Sequence, residues 1–248
     1  MKRFKEKTVI VTGAGSGMGR ATALRFANEG ATVVLVGRTS ETLEETAKQF
    51  PHDKTWIHTD NYMTITCDIS VQSQVQEMVK RVIERFEKLD IVVNNAGKGM
   101  EGKITDLSGE DWRAAIDVCQ AAMPHLIKTQ GNIVNVSSLS GIGGDWNMAA
   151  YNAAKAGVTN LTRTLAMDHG PDGVRVNAVN PTATKTSMTK DMREDQEKVD
   201  KFLARCPLGR FVTPEDIAAA ITFLASEDAA MITGVNLPVD GGVSASNG

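Results

Sequence analysis

Short apolar runs rich in valine and isoleucine recur along this chain with the length and spacing of buried strands. Most of these runs carry apolar residues on both alternating faces, which favours strands covered on both sides over strands with one solvated face. The predicted strands span residues 7–12, 32–37, 63–67, 90–94, 131–137, 174–180 and 236–239.

The segments between these runs place apolar residues at helical spacing. Thr213 starts one helix, with proline at the first helical position and acidic residues in the first turn. Ser40 and Ser108 are the predicted caps of two others, the second within a capping box. Residues 51–62 show no clear period and predict a loop. The predicted helices span 18–28, 41–49, 71–87, a stretch from the Ser108 cap to about 128, 149–168 and a stretch from 214 onward.

Alternation of apolar strands with helices predicts an α/β protein with a Rossmann-type, doubly wound parallel sheet. We expect about seven strands in a single domain, with helices on both faces. Gly13, Asn94, Ser137 and Asn180 each end a predicted strand. Ligands bind such sheets at the carboxyl ends of the strands, so these polar motifs predict a site at that edge.

Composition restricts the classes of protein that fit. The 248 residues, 42% of them hydrophobic, suit one domain over residues 1–248. A net charge of −3 offers no basic surface for nucleic acid and no polybasic membrane patch, and no apolar run approaches a membrane span. We therefore expect a soluble, cytoplasmic protein. Cys67, Cys119 and Cys206 lack metal-ligand spacing, which predicts buried structural cysteines and no metal site.

Tyr151, Lys155 and Ser138 form the candidate catalytic group. A lysine four residues after a tyrosine lies on the same helix face, and its charge is expected to lower the phenol pKa from about 10. Ser138, upstream in the sequence, would bind and orient a substrate oxygen. Such a set suits proton transfer to or from a carbonyl or an alcohol. The alternative interpretation of this common spacing is a solvated lysine beside a half-buried tyrosine.

Residues 12–19 read Thr-Gly-Ala-Gly-Ser-Gly-Met-Gly between the first predicted strand and the first predicted helix. Gly13, Gly17 and Gly19 would let the backbone approach a pyrophosphate, and the helix N-terminus favours negative charge. The position of the loop therefore favours dinucleotide binding over a glycine-rich turn without a ligand. A Walker loop is excluded because the Gly-Lys-Ser/Thr ending is absent.

The end of the second predicted strand bears on the choice of dinucleotide. An acidic residue there would hold the 2′-hydroxyl of NAD(H), whereas an arginine accommodates the 2′-phosphate of NADP(H). Here Gly37 is followed by Arg38, with no acidic residue. The sequence favours NADP(H), while the neutral Ser16 keeps NAD(H) as the alternative. Arg38 as a merely solvated side chain is the other interpretation.

Further motifs follow one another along almost the whole chain. They are the 12–19 loop, residues 67–69, 94–97 and 133–138, Tyr151 with Lys155, and residues 175–181, 207–210 and 239–242. Their order and spacing resemble the short-chain dehydrogenase/reductase family, including 3-oxoacyl-carrier-protein reductases and sugar or steroid dehydrogenases. The resemblance implies an NAD(P)-dependent oxidoreductase that interconverts a carbonyl and a secondary alcohol.

The resemblance also implies a role for each matching residue. Tyr151 would be the general acid in reduction and the general base in oxidation. Lys155 would assist it and bind the nicotinamide ribose, and Ser138 would hold the substrate oxygen. The residues expected to bind the cofactor are Gly13, Ser16, Gly17, Met18, Gly19, Arg38, Asp68, Ile69, Asn95, Ala96, Gly97, Tyr151, Lys155, Pro181, Thr184 and Thr186.

The chain departs from the family pattern near Cys119. Relatives carry there about eight more helical residues, just over two turns, and an asparagine that supports a proton-relay water. Cys119 stands in its place, or the position is gone. An alternative function is therefore a catalytically impaired nucleotide-binding member of the family. The same helix usually forms a dimer face, so the resemblance implies a homo-oligomer, either a tetramer or a dimer.

Residues 185–206 are charged and amphipathic, which predicts either a mobile substrate lid or an ordinary surface helix. Residues 98–102 and 141–148 would form the other walls of the substrate site. Trp146 and Met148 would make the second wall partly apolar, while Asp145 and Asn147 would add polar groups. This mixture fits a keto or hydroxy compound of modest size.

Overall fold

A single parallel sheet organises the protein. The computed structural model describes residues 2–51, 61–97 and 111–245, and the seven strands found there lie in the order β3-β2-β1-β4-β5-β6-β7. The sequence order reverses direction between β1 and β4, which makes this pair the switch point of the sheet. The strands are β1 (Thr8–Thr12), β2 (Thr32–Gly37), β3 (Tyr62–Thr66), β4 (Ile91–Asn94), β5 (Asn132–Val136), β6 (Arg175–Pro181) and β7 (Asn236–Val239).

Helices connect the strands at nearly every step. Within the described residues they are α1 (Gly17–Asn28), α2 (Ser40–Ala47), α3 (Gln72–Phe86), α4 (Asp111–Thr129), α5 (Ala149–His169), α6 (Lys190–Glu194), α7 (Gln196–Leu203) and α8 (Pro214–Ala225). None of these helices is both long enough and apolar enough to cross a membrane.

Side chains alternate across the sheet and form two cores. Val9 and Val11 of β1 face one core, which also contains Phe26 of α1 and Ile217 of α8. Ile10 faces the opposite core, together with residues of α3 and α4. Burial of each such side chain contributes about 1.5–3 kcal/mol. The predicted doubly wound sheet, with helices on both faces, is therefore confirmed.

The predicted start of α8 is also confirmed. Thr213 Oγ1 accepts a hydrogen bond from the Asp216 amide at 3.2 Å, and Asp216 Oδ2 accepts one from the Thr213 amide at 2.8 Å. Arg210 forms an ion pair with the same carboxylate. These bonds lower the pKa of Asp216, with the Arg210 bond as the largest favourable cause. The reciprocal cap fixes where the chain turns into α8.

Two local predictions were wrong. Ser40 does not cap α2 but is its first residue, and Thr39 precedes it without a side-chain capping bond. Tyr62 was assigned to a loop, but it pairs with Val33 as the first residue of β3. The Tyr62 ring packs edge-on against Phe50 at 5.8 Å between centroids, a long-range contact that has no periodic signature.

Several predictions concern residues outside the described ranges. They include the Ser108 capping box, the wall at 98–102 and most of the loop at 51–62. The three cysteines lie inside the described ranges, and each is buried and unpaired by disulfide, as predicted.

Candidate active site

The candidate site is a crevice at the carboxyl ends of β1, β4 and β5. It is lined by side chains from these strand ends and from α4 and α5. The empty volume of the crevice, including its part that is open to solvent, is about 520 Å³. The predicted site residues on its walls are Ile69, Ala96, Gly97, Tyr151 and Lys155. Two chemically distinct parts of the prediction, the cofactor motifs and the proton-transfer residues, therefore meet in one place.

The loop between β1 and α1 has the backbone geometry of an anion cradle. Gly13 and Gly17 adopt positive φ values of 67° and 51°, a region that side chains with a Cβ rarely occupy. Ser16 precedes α1 without capping it, and the first turn contains no acidic residue. The positive end of the helix dipole and its first amide groups therefore face the loop. This arrangement fits a pyrophosphate.

The cradle is fastened to the end of β4. Thr12 Oγ1 accepts hydrogen bonds from the amides of Asn95 and Ala96, each at 3.0 Å. Asn95 Nδ2 donates to the Thr12 carbonyl at 2.9 Å. Because Asn95 spans the two strand ends, it holds the loop at a fixed distance from the crevice.

A second loop covers the start of α1. Thr186 lies so close to Gly17 that a Cβ on Gly17 would stand 3.2 Å from Thr186 Cγ2. Thr189 Oγ1 donates to the Thr184 carbonyl at 2.6 Å and shapes this loop just after Pro181 ends β6. This loop, which carries residues predicted to bind the cofactor, therefore lies against the glycine loop. The Thr184 hydroxyl, however, donates its hydrogen bond to the Thr182 carbonyl.

Other predicted cofactor residues stand further from the crevice or serve the fold. The Arg38 side chain is exposed at the end of β2, and no hydrogen bond or ion pair joins it to another residue of the described ranges. The Met18 side chain packs against the core, so only its backbone faces the loop. Asp68 Oδ1 accepts bonds from the amide and hydroxyl of Ser70, at 3.0 and 2.7 Å.

Ser138 and Tyr151 are close neighbours, since the Ser138 hydroxyl lowers the pKa of the Tyr151 phenol against the rise caused by burial. Ser138 follows β5 and begins a short 3-10 helix, Leu139–Gly141, while Tyr151 lies in the first turn of α5. The Asn180 amide donates to the Ser138 carbonyl at 2.8 Å and holds the backbone there. The pair predicted from sequence is therefore assembled.

Lys155 lies one helical turn after Tyr151, with its ammonium 5.8 Å from the centre of the phenol ring. Lys155 Nζ donates to the Val136 carbonyl at 2.9 Å. Burial raises the pKa of Tyr151, the Ser138 hydrogen bond opposes that rise, and the nearby Asp145 carboxylate adds to it. The expected lowering of this pKa was wrong, since desolvation of the phenolate outweighs the favourable interactions.

Cys119 lies behind the crevice. Its sulfur accepts a hydrogen bond from Asn94 Nδ2 at 3.2 Å, and the same amide donates to Asn135 Oδ1 at 2.9 Å. Burial raises the pKa of the Cys119 thiol to about 12. The thiol therefore remains protonated and packs as a structural group.

Sequence reasoning missed two polar residues beside Ser138. Ser140 Oγ lies 3.1 Å from Ser138 Oγ and donates a short hydrogen bond to the carboxylate of Asp145. Asp145 had been noted only as a polar group of the substrate wall. The Ser-Leu-Ser spacing at 138–140 was the available signal, because a serine that precedes a helical turn can accept a hydrogen bond from the amide two residues later, as Ser138 does from Ser140.

The predicted lid at 185–206 contains α6 and α7. Phe202 stacks on Phe211 at 4.6 Å between ring centroids, whereas Met188 is 61% exposed. On the opposite wall, Trp146 is 95% exposed. The apolar side chains proposed for the substrate walls are therefore divided between packed and solvent-facing positions.

Comparison with known proteins assigns the class. Residues 13–244 match the family model described as enoyl-(acyl carrier protein) reductase. Together with the parallel sheet and the relatives described next, this match shows that the chain belongs to the short-chain dehydrogenase/reductase family and is an oxidoreductase of that family.

Two curated relatives span nearly the whole chain. Meso-2,3-butanediol dehydrogenase from Serratia marcescens is 45% identical over 254 residues, covering 99% of this chain and 98% of that protein. The 3-oxoacyl-acyl-carrier-protein reductase from Thermotoga maritima is 37% identical, covering 97% and 99%.

Solved structures give the same result. Levodione reductase superposes with a TM-score of 0.90 at 33% identity, covering 98% of this chain and all of that one. The 3-ketoacyl-(acyl-carrier-protein) reductase from Brucella melitensis, complexed with NADH, has a TM-score of 0.84 at 33% identity, covering 97% and 99%.

Proposed function

We propose that this protein is an NADP(H)-preferring oxidoreductase that interconverts a ketone and a secondary alcohol, with Tyr151 as the general acid and base. The observation that carries the proposal is that Tyr151 and Lys155 line the same crevice as Thr12, the residue from which the dinucleotide loop begins. Proton-transfer groups and an anion cradle in one crevice suit hydride transfer coupled to proton transfer.

Tyr151 and Ser138 would bind the reacting oxygen from two sides. Because the pKa of Tyr151 is raised, the phenol carries its proton near neutral pH and can donate it to a substrate oxygen. In the opposite direction the phenolate takes the proton of an alcohol, and the Lys155 charge favours that form. When bound, the nicotinamide supplies the hydride donor or acceptor that these side chains lack.

The remaining site residues would hold the dinucleotide. The first amides of α1 and the loop from Gly13 to Gly19 would bind its pyrophosphate. Ile69, Ala96 and Gly97 line the crevice beside it, and Thr186 would close the loop from above. Arg38, with its exposed guanidinium at the end of β2, would pair with a 2′-phosphate, which favours NADP(H) over NAD(H).

A small vicinal diol is our first candidate substrate. The relative from Serratia marcescens is named for meso-2,3-butanediol and aligns with 99% of this chain. The predicted wall at 141–148 supplies the Asp145 carboxylate as well as apolar groups, so it offers an acceptor for a second hydroxyl.

A dinucleotide-binding protein without turnover is the second candidate. The observation that favours it is Cys119, whose buried thiol accepts a hydrogen bond from Asn94. Because its pKa is raised, this thiol keeps its proton at neutral pH and cannot relay protons to the site. Such a protein would bind the dinucleotide normally but would lack the proton supply for chemistry.

One experiment separates these candidates. The purified protein is titrated with NADPH and NADH to measure binding, and then assayed with each cofactor against ketones, 3-oxoacyl thioesters and secondary alcohols that include meso-2,3-butanediol. Turnover followed by the absorbance of the reduced nicotinamide supports the oxidoreductase. Tight binding without turnover across the panel supports the second candidate.

We also propose a cytoplasmic homo-oligomer, either a tetramer or a dimer, as the family resemblance implies. The change near Cys119 lies in the helix that usually forms a dimer face, so oligomerisation is a separate question from activity. Light scattering during size exclusion measures it directly, and a monomer at micromolar concentration would contradict this proposal.

A further inference from the structure

A carboxylate stands close to the two groups that would hold the reacting oxygen. Ser140 Oγ donates a short hydrogen bond to Asp145 Oδ2 and lies 3.1 Å from Ser138 Oγ, so one hydroxyl separates the carboxylate from Ser138. Burial is the main cause of the raised Tyr151 pKa, and the Asp145 charge adds to it. The phenol therefore lies within electrostatic range of this acid, and a negative charge stands beside the place where the substrate would react.

The carboxylate is held in position although its segment is exposed. Ser140, which is 4% exposed, donates to Asp145 Oδ2, and Asn152 Nδ2 donates to the Asp145 backbone carbonyl at 3.0 Å. Asn152 belongs to the first turn of α5, next to Tyr151, so this turn anchors both the acid and the phenol. Of the described residues, none besides Ser140 donates to the carboxylate, which leaves Oδ1 as an acceptor for a substrate.

We propose that Asp145 selects the substrate by charge, and that the preferred substrate is a vicinal amino alcohol, or the matching amino ketone, with a protonated amine. The amine would lie on the carbon next to the one that carries the reacting oxygen. A hydroxyl on that carbon would also bind, but the charge of Asp145 ranks an ammonium above it. This inference rests on the proposed function and deepens it, because it names the substrate class of the same site.

The spacing of the side chains suits polar groups on adjacent carbons. A substrate oxygen bound by Ser138 would lie about 2.7–2.8 Å from its Oγ, and the Asp145 carboxylate is one bridging hydroxyl away from the same atom. Staggered polar groups on neighbouring carbons are themselves about 3 Å apart. A substrate whose reacting oxygen contacts Ser138 can therefore present its second polar group to Asp145 without a longer carbon chain.

Charge ranks the groups that could occupy this second position. A hydrogen bond from an ammonium to a carboxylate is roughly twice as strong as a bond between neutral groups. Asp145 is exposed, so solvent screening limits the preference for an ammonium over a hydroxyl to about fivefold. A methyl group leaves the carboxylate without a donor from the substrate, and a second carboxylate is repelled.

The lysine of the site lies on another side of the crevice. Lys155 Nζ donates to the Val136 carbonyl at 2.9 Å, and a Cβ on Gly97 would stand 3.6 Å from the same nitrogen. The ammonium of Lys155 is therefore placed over the ends of β4 and β5, whereas Asp145 belongs to the segment that precedes α5. A second polar group that points towards this segment meets the acid and not the lysine.

Four alcohols that share one reacting group test the ranking. Next to the carbinol, 1-amino-2-propanol carries an ammonium, 1,2-propanediol a hydroxyl, 2-butanol a methyl and lactate a carboxylate. For the parent, kcat/KM for oxidation should fall in that order, with the amino alcohol about fivefold above the diol. Asp145→Asn keeps an acceptor for Ser140 but removes the charge, so the amino alcohol should lose its advantage over the diol.

Asp168→Asn, which changes an exposed acid near the other end of α5, is the matched control and should keep the parent order. A parent that does not prefer the amino alcohol to the diol would overturn the proposal. The same preference in Asp145→Asn and in the parent would also overturn it, because the preference would then not come from the charge of Asp145.

A binding measurement separates the failure of this inference from the failure of the proposed function. With NADPH added, the alcohols cannot be oxidised, so ligand-observed NMR measures their affinities without turnover. The parent should bind 1-amino-2-propanol about fivefold more tightly than 1,2-propanediol, and Asp145→Asn should bind the two equally. This ranking in a protein that turns over no substrate would contradict the oxidoreductase but support selection by charge. Turnover without the ranking would overturn the selection alone, and a protein that neither binds nor oxidises the alcohols would overturn both.

Discussion

The substitution Gly19→Ala tests the dinucleotide loop through a contact that the structure defines. Gly19 lies in the first turn of α1. A Cβ there would overlap the Gly13 carbonyl oxygen and stand 2.5 Å from Asn95 Nδ2, whereas ordinary contacts begin at 3.4 Å. The Gly13 carbonyl belongs to the loop backbone, so the added methyl must displace the loop or push α1 away from β4. Overpacking of this kind costs about 1–3 kcal/mol.

The same displacement predicts two measurable losses. If the cost falls on the loop that binds the dinucleotide, the Kd for NADPH rises by about 5- to 150-fold, since 1.4 kcal/mol corresponds to a factor of ten. If it also falls on the folded state, Tm decreases by about 2–12 °C, given about 2–4 °C per kcal/mol for a chain of this size. Calorimetric titration and thermal unfolding measure these quantities separately.

Gly143→Ala is the matched control for binding. A Cβ at Gly143 would meet only the Leu139 carbonyl oxygen, at an ordinary 3.6 Å. We expect its Kd for NADPH and its Tm to stay close to those of the parent. A Gly19→Ala protein that binds NADPH within about twofold of the parent would refute the reasoning, because twofold is well below one tenfold step of 1.4 kcal/mol.

Three further predictions follow from the site and the fold. Arg38→Ala should weaken NADPH about fivefold, the effect of an exposed charge pair worth about 1 kcal/mol, and NADH much less; equal effects on the two titrations would remove Arg38 from cofactor selection. The kcat/KM for alcohol oxidation should increase with pH towards the raised pKa of Tyr151, because the phenolate is the base, while ketone reduction should decline above that pKa; a flat oxidation profile would contradict this role. Thr213→Ala should lower Tm by about 2–4 °C through loss of the α8 cap, and an unchanged unfolding curve would argue against the capping box.

Much of the fold could be predicted because its signals are local. The residues of β1 and β2 are β-branched and apolar almost throughout, which indicates strands covered on both faces. Tyr151 and Lys155 could be paired because a spacing of four residues brings side chains together on any helix. Predictions of this kind need only the geometry of one element.

The rest depended on contacts between elements, which one sequence does not encode locally. The raised pKa of Tyr151 comes from burial beside the crevice, and burial is a property of the assembled fold. The Ser140–Asp145 bond requires the chain to turn back after the short 3-10 helix, in a segment with no hydrophobic period. The Ser40 cap was wrong by one residue, since both Thr39 and Ser40 are good capping residues.

Turnover by a Tyr151→Phe protein tests the central claim most directly. Phenylalanine keeps the ring in its place in α5 but removes the hydroxyl that would exchange protons with the substrate. We predict that kcat falls at least about 100-fold, while the Kd for NADPH changes by less than about threefold, because the cradle at Gly13 to Gly19 is untouched. A Tyr151→Phe protein that reduces ketones at the parent rate would contradict the assignment of Tyr151 as the acid and base.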